Sequence, residues 1–326
     1  MRKTLLAVLL ATLVVSLSLG TCFGKEFKVG INNFGQANFF ARIGRTVMIN
    51  TVEALGGTAI STVTDNVPDR ISAIENFIAQ GVDAIIIQEG DIKMAAPALE
   101  EAKKKGIIIA AMGCGTAPFV DLVVESNEWV MGAMAATELI DRTGGKANIV
   151  LITNPLGQMI RIRAGELNLV LDEYTDSRVV GTIVYAWPDF FPDIQAKMES
   201  ILMAHPEPGS VNAVFGTFDG GSVAACSAIR AAGRQDEFTV VGIDGDPQGY
   251  EEMSKPDSPM VATVAQQPAL MAETVVKQVF RLLNGEDVPR HSYIPAKLVT
   301  KAALPPESAW PYAENFTDYG KDATLP

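Results

Sequence analysis

Residues 69–112 read DRISAIENFIAQGVDAIIIQEGDIKMAAPALEEAKKKGIIIAAM, and the rhythm of this stretch decides the fold. Ile71, Ile74, Phe77 and Ile78 recur at helical spacing over 69–80, and Gly81 stops that helix. Residues 84–87 are wholly apolar, which reads as a strand covered on both faces. A second helix closes on Glu100-Glu101-Ala102-Lys103-Lys104-Lys105-Gly106, its acids four residues before Lys104 and Lys105 and its lysines at the negative end of the helix dipole. Residues 107–112 form the next buried strand.

The same alternation extends in both directions. Upstream, the pattern predicts strands over 27–31 and 58–63, with a helix over 41–55 ending at Gly56-Gly57. Downstream it predicts strands over 147–152, 179–185, 212–215 and 238–243, with helices near 129–141, 162–174, 194–204 and 221–232. Doubly apolar strands separated by helices mean parallel sheets with helices on both faces. The two runs divide at Glu125-Ser126-Asn127, so the expected fold is α/β, two Rossmann-like lobes with parallel sheets joined by a hinge at Ser126 and Asn127. No long or Ser- or Pro-rich linker intervenes, which suits short crossings better than a flexible tether. The lobes are expected to span 26–128 plus about 267–293, and 129–266 plus about 294–304, with an aromatic tail over 305–326 that reads as a strap packed over one lobe.

The amino terminus reads as an export signal over 1–24. Arg2 and Lys3 precede an apolar run over 5–15, and small residues follow at Ser16, Ser18, Gly20, Thr21 and Gly24. The run falls short of the ~20 apolar residues a membrane span needs. Leu19-Gly20-Thr21-Cys22 also fits a lipoprotein box, weakened by Thr21, so ordinary cleavage and lipidation at Cys22 both stay open; either places the protein outside the cytoplasmic membrane, in the periplasm or its equivalent.

The net charge of −12 excludes nucleic acid and anionic lipid as partners, because both demand clustered Lys and Arg. The 326 residues suit two domains, and the 48% hydrophobic content suits a packed globular chain. Beyond Cys22 only Cys114 and Cys226 remain, expected in different lobes and unpaired. With His205 and His291 the only histidines, no cluster has metal-ligand spacing, and no cofactor is expected.

In parallel α/β lobes ligands sit at the carboxyl ends of strands. Those ends carry Asn32, Asn33, Gln36, Phe39 and Phe40, then Gln88 and Glu89, then Gly113 and Cys114. The second run adds Asn154, Arg161, Arg163, Trp187, Asp189, Asp219, Asp244, Asp246 and Gln266. Aromatic faces mixed with amides, carboxylates and guanidinium suit a polyhydroxylated ligand: rings cover C–H faces while bidentate groups take adjacent hydroxyls.

On these residues the chain resembles the exported sugar-binding proteins of ABC transporters, in the type I group typified by ribose-binding protein. The resemblance rests on Ala37-Asn38-Phe39-Phe40, Ile78-Ala79-Gln80-Gly81-Val82-Asp83-Ala84-Ile85, Ala204-His205-Pro206, Val241-Gly242-Ile243-Asp244-Gly245 and Ala262-Thr263-Val264-Ala265-Gln266, in that order. It implies that Phe39 and Phe40 stack on the ligand, that Arg161 binds hydroxyls, and that Asp244 and Gln266 clamp adjacent hydroxyls. It also implies a monomer that closes around a sugar or polyol and docks on a membrane permease; a sensor docking on a chemoreceptor or histidine kinase is the alternative. From the residues themselves, Arg163 competes with Arg161, a helix cap is the lesser reading of Asp244, and one of the two phenylalanines reads as well as core.

The departures bear on the ligand. Gly113-Cys114 stands where the family carries Asp-Arg, Ala37 replaces an Asn, and Phe218 replaces another. An unpartnered buried hydroxyl costs ~1–3 kcal/mol, so a plain ribose or glucose pose loses affinity here. Asn33, Gln36, Trp187, Asp189 and Asp219 are candidate replacements. Carboxylates outnumber guanidinium groups among the candidates, which predicts a neutral or at most cationic ligand. Asp244→Ala and Gln266→Ala are expected to remove binding with little effect on unfolding. No thiol–imidazole or carboxylate pair reads as catalytic, and Lys255 sits where a calcium loop needs a bidentate acid, so an enzyme and a calcium site are both excluded.

Overall fold

The structure is a computed structural model describing residues 26–35 and 38–307. The export signal, Cys22, Gln36 and all but the first residues of the tail lie outside the described residues. Its first sheet is wholly parallel and takes β1 (Lys28–Phe34), β2 (Thr58–Thr64), β3 (Ala84–Gln88), β4 (Ile108–Met112), β5 (Leu122–Ser126) and β11 (His291–Ile294), ordered β11-β5-β4-β3-β1-β2. The second takes β6 (Asn148–Thr153), β7 (Arg178–Val184), β8 (Ala213–Gly216), β9 (Thr239–Asp244), β10 (Met260–Ala265) and β12 (Lys297–Thr300), ordered β12-β10-β9-β8-β6-β7. One strand departs from the all-parallel expectation. The chain reaches β12 directly from β11, with no crossover helix to reverse it, and β12 pairs antiparallel to β10.

Helices α1 (Phe39–Ala54), α2 (Val67–Ala79), α3 (Ala96–Lys104) and α9 (Pro268–Leu283) cover the first sheet, and α4 (Glu128–Arg142), α5 (Gln158–Glu173), α6 (Phe190–Ala204), α7 (Asp219–Ala231) and α8 (Pro247–Ser254) cover the second. Three starts are fixed by asparagine caps: Asn38 accepts from Ala41 N at 2.7 Å, Asn66 from Asp69 N at 2.9 Å and Asn127 from Val130 N at 3.1 Å. Strand alternation then sets the cores. Ile85 and Ile87 meet Ile74, Phe77 and Leu99 on one face, while Ile86 joins Met48, Val275 and Val279 on the other. Each such isoleucine contributes roughly 1.5–3 kcal/mol by burial.

The chain crosses between the sheets at Asn127, at Gln266-Gln267 and at Pro295-Ala296. Strand order reverses between β1 and β3 in one sheet and between β6 and β8 in the other, opening a crevice at the carboxyl ends of those strands. Strand β5 falls where the sequence reads only a division. It is fully buried, and its one carboxylate, Glu125, is held by His291 Nε2 at 2.9 Å. Cys114 and Cys226 are both buried and free. Among the described residues no helix is long and apolar enough to cross a membrane, and no group of His, Cys, Asp and Glu could hold a metal.

Candidate functional site

The two reversals face each other across a cavity of about 70 Å3.

The first sheet supplies Phe34 at the end of β1, Asn38 and Phe40 at the start of α1, and Glu89-Gly90 after β3. A fully buried arginine of α2 holds this wall from behind. Arg70 donates from Nε to Asn32 Oδ1, from Nη1 to Glu89 O and from Nη2 to Gln88 O, each at 2.8 Å, and lies 4.7 Å over the Phe34 ring. Burial without a carboxylate in contact lowers its pKa to about 10. The clamp fixes a left-handed turn, Glu89 at φ 60° and Gly90 at φ 80°, a conformation costing a glutamate ~1–3 kcal/mol. Glu89 Oε1 accepts from Asn38 Nδ2 at 3.0 Å, whereas its buried Oε2 has no partner among the described residues. Burial, opposed by the Asn38 bond, pushes the Glu89 carboxyl up to about 8.

The second sheet supplies the larger and more polar wall. Ile160, Arg163 and Leu167 share the buried stripe of α5. Arg163 donates from Nε to Glu128 Oε2 at 2.6 Å and from Nη1 to Thr217 O at 2.8 Å and Asp244 Oδ1 at 3.0 Å. Gln266 Nε2 donates to the same Asp244 oxygen at 2.7 Å. Arg163 Nη2 and Gln266 Oε1 are buried without a partner among the described residues. Burial pushes Asp244 up to about 6 against the opposing pull of Arg163; burial also works to lower the Arg163 pKa, but Glu128 and Asp244 carry it above its ordinary value. Tyr185, Trp187 and Phe218 complete the wall, with Tyr185 and Phe218 centroids 4.9 Å apart and Trp187 stacked on Phe190 at 6.0 Å. The buried Trp187 Nε1 also lacks a partner among the described residues.

The rims meet. A Cβ on Gly35 would fall 2.3 Å from the Trp187 ring, and both Gly35 at φ 80° and Gly115 at φ 81°, beside Gln158, hold a backbone conformation that favours glycine. Gln158 N donates to Gly90 O at 3.1 Å, and Arg161 Nη2 reaches Asp91 Oδ2 at 2.6 Å.

Of the residues singled out in the sequence, Phe40, Glu89, Asn154, Arg163, Trp187, Asp244 and Gln266 line the cavity. Arg161 does not: it points outward into its rim pair with Asp91, and Arg163 occupies the cavity instead. The helical spacing from Ile160 to Leu167 was the available signal, since it puts residue 163 on the buried stripe and residue 161 off it. Phe39 is half-buried and packs against the cluster of Ile43, Tyr250 and Val299. Asn33 lies behind the wall, bonded to Gln88 and to Ala41 O. Asp189 is exposed ahead of α6. Asp219 is buried, accepting from Thr263 Oγ1 at 2.7 Å and Asp246 N at 2.8 Å, which ties the start of α7 to β10 and to the start of α8. Ser126 donates to Met271 Sδ at 3.8 Å, and Asn127 caps α4. Where the family pattern has Asp-Arg, Gly113 faces Phe40 and Met159, and Cys114 donates to Ile87 O at 3.2 Å, its thiol raised to about 12 by burial. The polar pair is replaced by apolar contact and an inert thiol.

Residues 29–287 match the family model described as periplasmic binding protein domain. The chain is 26% identical to a xylitol-binding protein of Mycolicibacterium smegmatis, covering 82% of this chain and 70% of that one. It is 26% identical to the ribose import binding protein RbsB of Bacillus subtilis, covering 85% and 88%. The solved structure of an ABC transporter solute binding protein from Agrobacterium vitis with bound allitol superposes with a TM-score of 0.82 at 27% identity, covering 91% of this chain and 99% of that one.

Proposed function

The chain belongs to the periplasmic binding protein family, and is the sugar- or polyol-binding component of an ABC transporter and not an enzyme; from that premise we propose that it captures one small neutral polyhydroxylated ligand, a monosaccharide, deoxy sugar or sugar alcohol, and delivers it to a membrane permease. One observation carries the reading. Four buried polar atoms without partners among the described residues belong to cavity-lining side chains: the donors Arg163 Nη2 and Trp187 Nε1, the acceptor Gln266 Oε1, and Glu89 Oε2, which accepts when ionised and donates when protonated. A hydroxyl both donates and accepts, so a polyol satisfies this mixed set, while Phe40, Tyr185 and Phe218 take its C–H faces.

Phe40, Trp187, Arg163, Asp244 and Gln266 are the proposed ligand residues. The lobes swing about Ser126-Asn127 and the two other crossings, closing the rims over the ligand. Export follows from residues 1–24, and mass spectrometry of the mature amino terminus separates plain cleavage from lipid on Cys22.

A thermal-shift screen tests the ligand class. At one hundred times its dissociation constant a ligand adds ~2.7 kcal/mol to stability, a shift of several degrees. Neutral pentoses, hexoses, deoxy sugars or alditols should produce it, and sugar phosphates, sugar acids and amino acids should not. A shift with anionic compounds alone overturns the reading.

A further inference from the structure

Glu89 keeps an unbonded oxygen once the hydrogen bonds of the cavity wall are assigned. Arg163 already faces two carboxylates, Glu128 and Asp244. Arg70 spends its donors on Asn32 Oδ1 and two backbone carbonyls, so it supports the Glu89 turn without touching the Glu89 carboxylate. Glu89 is a nine-tenths-buried residue of the cavity lining; Asn38 bonds one of its oxygens, and the other is buried and unpartnered among the described residues. A left-handed glutamate held by a dedicated arginine is a costly way to build a wall, and a ligand group complementary to that oxygen offsets the cost.

We propose that Glu89 is a specificity-determining residue that gives this cleft a second ligand class: hydroxylated compounds carrying one basic nitrogen, whose ammonium group pairs with Glu89 Oε2 while the hydroxyls meet Arg163, Asp244 and Gln266. The proposal rests on the polyol reading of the same cavity and deepens it. The charged groups facing Glu89 are Arg70 from α2, Arg163 from α5 and Asp244 from β9; with Glu128 on Arg163 the two cations meet two carboxylates, so ionised Glu89 supplies the one excess negative charge that a ligand cation meets. With the Glu89 carboxyl pushed up to about 8, the ligand-free site holds a proton at neutral pH. A neutral polyol binds with that proton in place. An ammonium ligand displaces it, one proton leaving the Glu89 carboxyl for solvent per ligand bound, and the ion pair then forms in a site closed to water.

The test compares hydroxyl and amine partners of one skeleton by calorimetry at pH 7: xylitol with 1-amino-1-deoxyxylitol, sorbitol with 1-amino-1-deoxysorbitol, glucose with glucosamine. At least one amine should bind roughly tenfold or more tightly than its parent, as expected for a charge-assisted bond. Repeating the titration in buffers of different ionisation enthalpy should show close to one proton released per amine and none per parent. Glu89→Gln keeps the shape and should abolish both the preference and the proton release, so that amine and parent of each pair bind with equal affinity; Glu89→Ala should do the same if the amide disturbs the turn. If parents bind and no amine binds more tightly, or if Glu89→Gln keeps the preference, the proposal is wrong while the polyol reading stands. If neither parents nor amines bind, the polyol reading itself falls.

Discussion

Among the described residues two arginines are completely buried, one behind each wall of the cleft, and they do opposite things. Arg70 gives three donors to neutral oxygens of its own sheet and its pKa falls to about 10. Arg163 is held by two carboxylates, its pKa rises, and it keeps Nη2 unspent beside the cavity. The difference teaches that burial alone does not mark a ligand residue. What marks one is an unsatisfied donor retained after the local structure has been served, because such a group costs free energy until something binds it.

The largest expected effect separates the two. Arg163→Met leaves Glu128 and Asp244 as buried carboxyls without their cation, so unfolding should show a loss of about 3–5 kcal/mol and calorimetry no ligand binding. Arg70→Met should also destabilise, yet retain affinity for a neutral alditol within about tenfold. Equal loss of binding in both variants would erase the distinction.

Asp244→Asn comes next. It removes the charge-assisted bonds to Arg163 and, on the proposed reading, to a ligand hydroxyl, so affinity should fall roughly tenfold to a hundredfold. The structure revises one expectation here: because Asp244 is paired with Arg163, its variants should lower unfolding stability as well, whereas Gln266→Ala should act mainly on affinity.

The carboxyls themselves give a pH dependence of smaller size. Glu89 at about 8 and Asp244 at about 6 both lie above their unfolded values near 4, so the folded protein holds protons that the unfolded chain has released. Their contribution is full below about pH 4 and is lost as pH rises through about 8, at no more than ~1.4 kcal/mol per pH unit for each group. The melting temperature of the ligand-free protein should therefore be higher at pH 5 than at pH 8, and Glu89→Gln should flatten the upper part of that slope. A melting temperature that climbs from pH 5 to pH 8 would contradict the assignment.

Arg161→Ala should be the mildest change. Its pair with Asp91 spans the rims with the arginine 41% exposed, so it contributes under ~1 kcal/mol, read as a two- to fivefold faster ligand release rather than loss of binding. A hundredfold loss would return Arg161 to the ligand.

How much of this was legible varies by element. The helix over 69–80 and the strand over 84–87 announce themselves because one period fills each and glycine punctuates them; the structure gives Val67–Ala79 and Ala84–Gln88. Strand β5 was missed because its glutamate breaks the apolar run, and the histidine that satisfies it lies far along the chain. Within the site, Phe40, Trp187, Asp244 and Gln266 were legible as residues at strand ends. The choice between Arg161 and Arg163 was legible only in helical phase, and Glu89 was legible as a strand-end residue but not as one with an unbonded oxygen.

The sequence by itself determined the α/β alternation, the two runs of elements and the resemblance to sugar-binding proteins, because periodicity and turn residues act over a few neighbours and survive without a fold around them. Only the tertiary structure decided which polar groups remain unsatisfied. Hydrogen-bond accounting closes across sheets and between walls: whether Arg163 keeps a free donor depends on Glu128, Thr217 and Asp244, residues 35, 54 and 81 positions away, and their meeting is a property of the packed molecule alone.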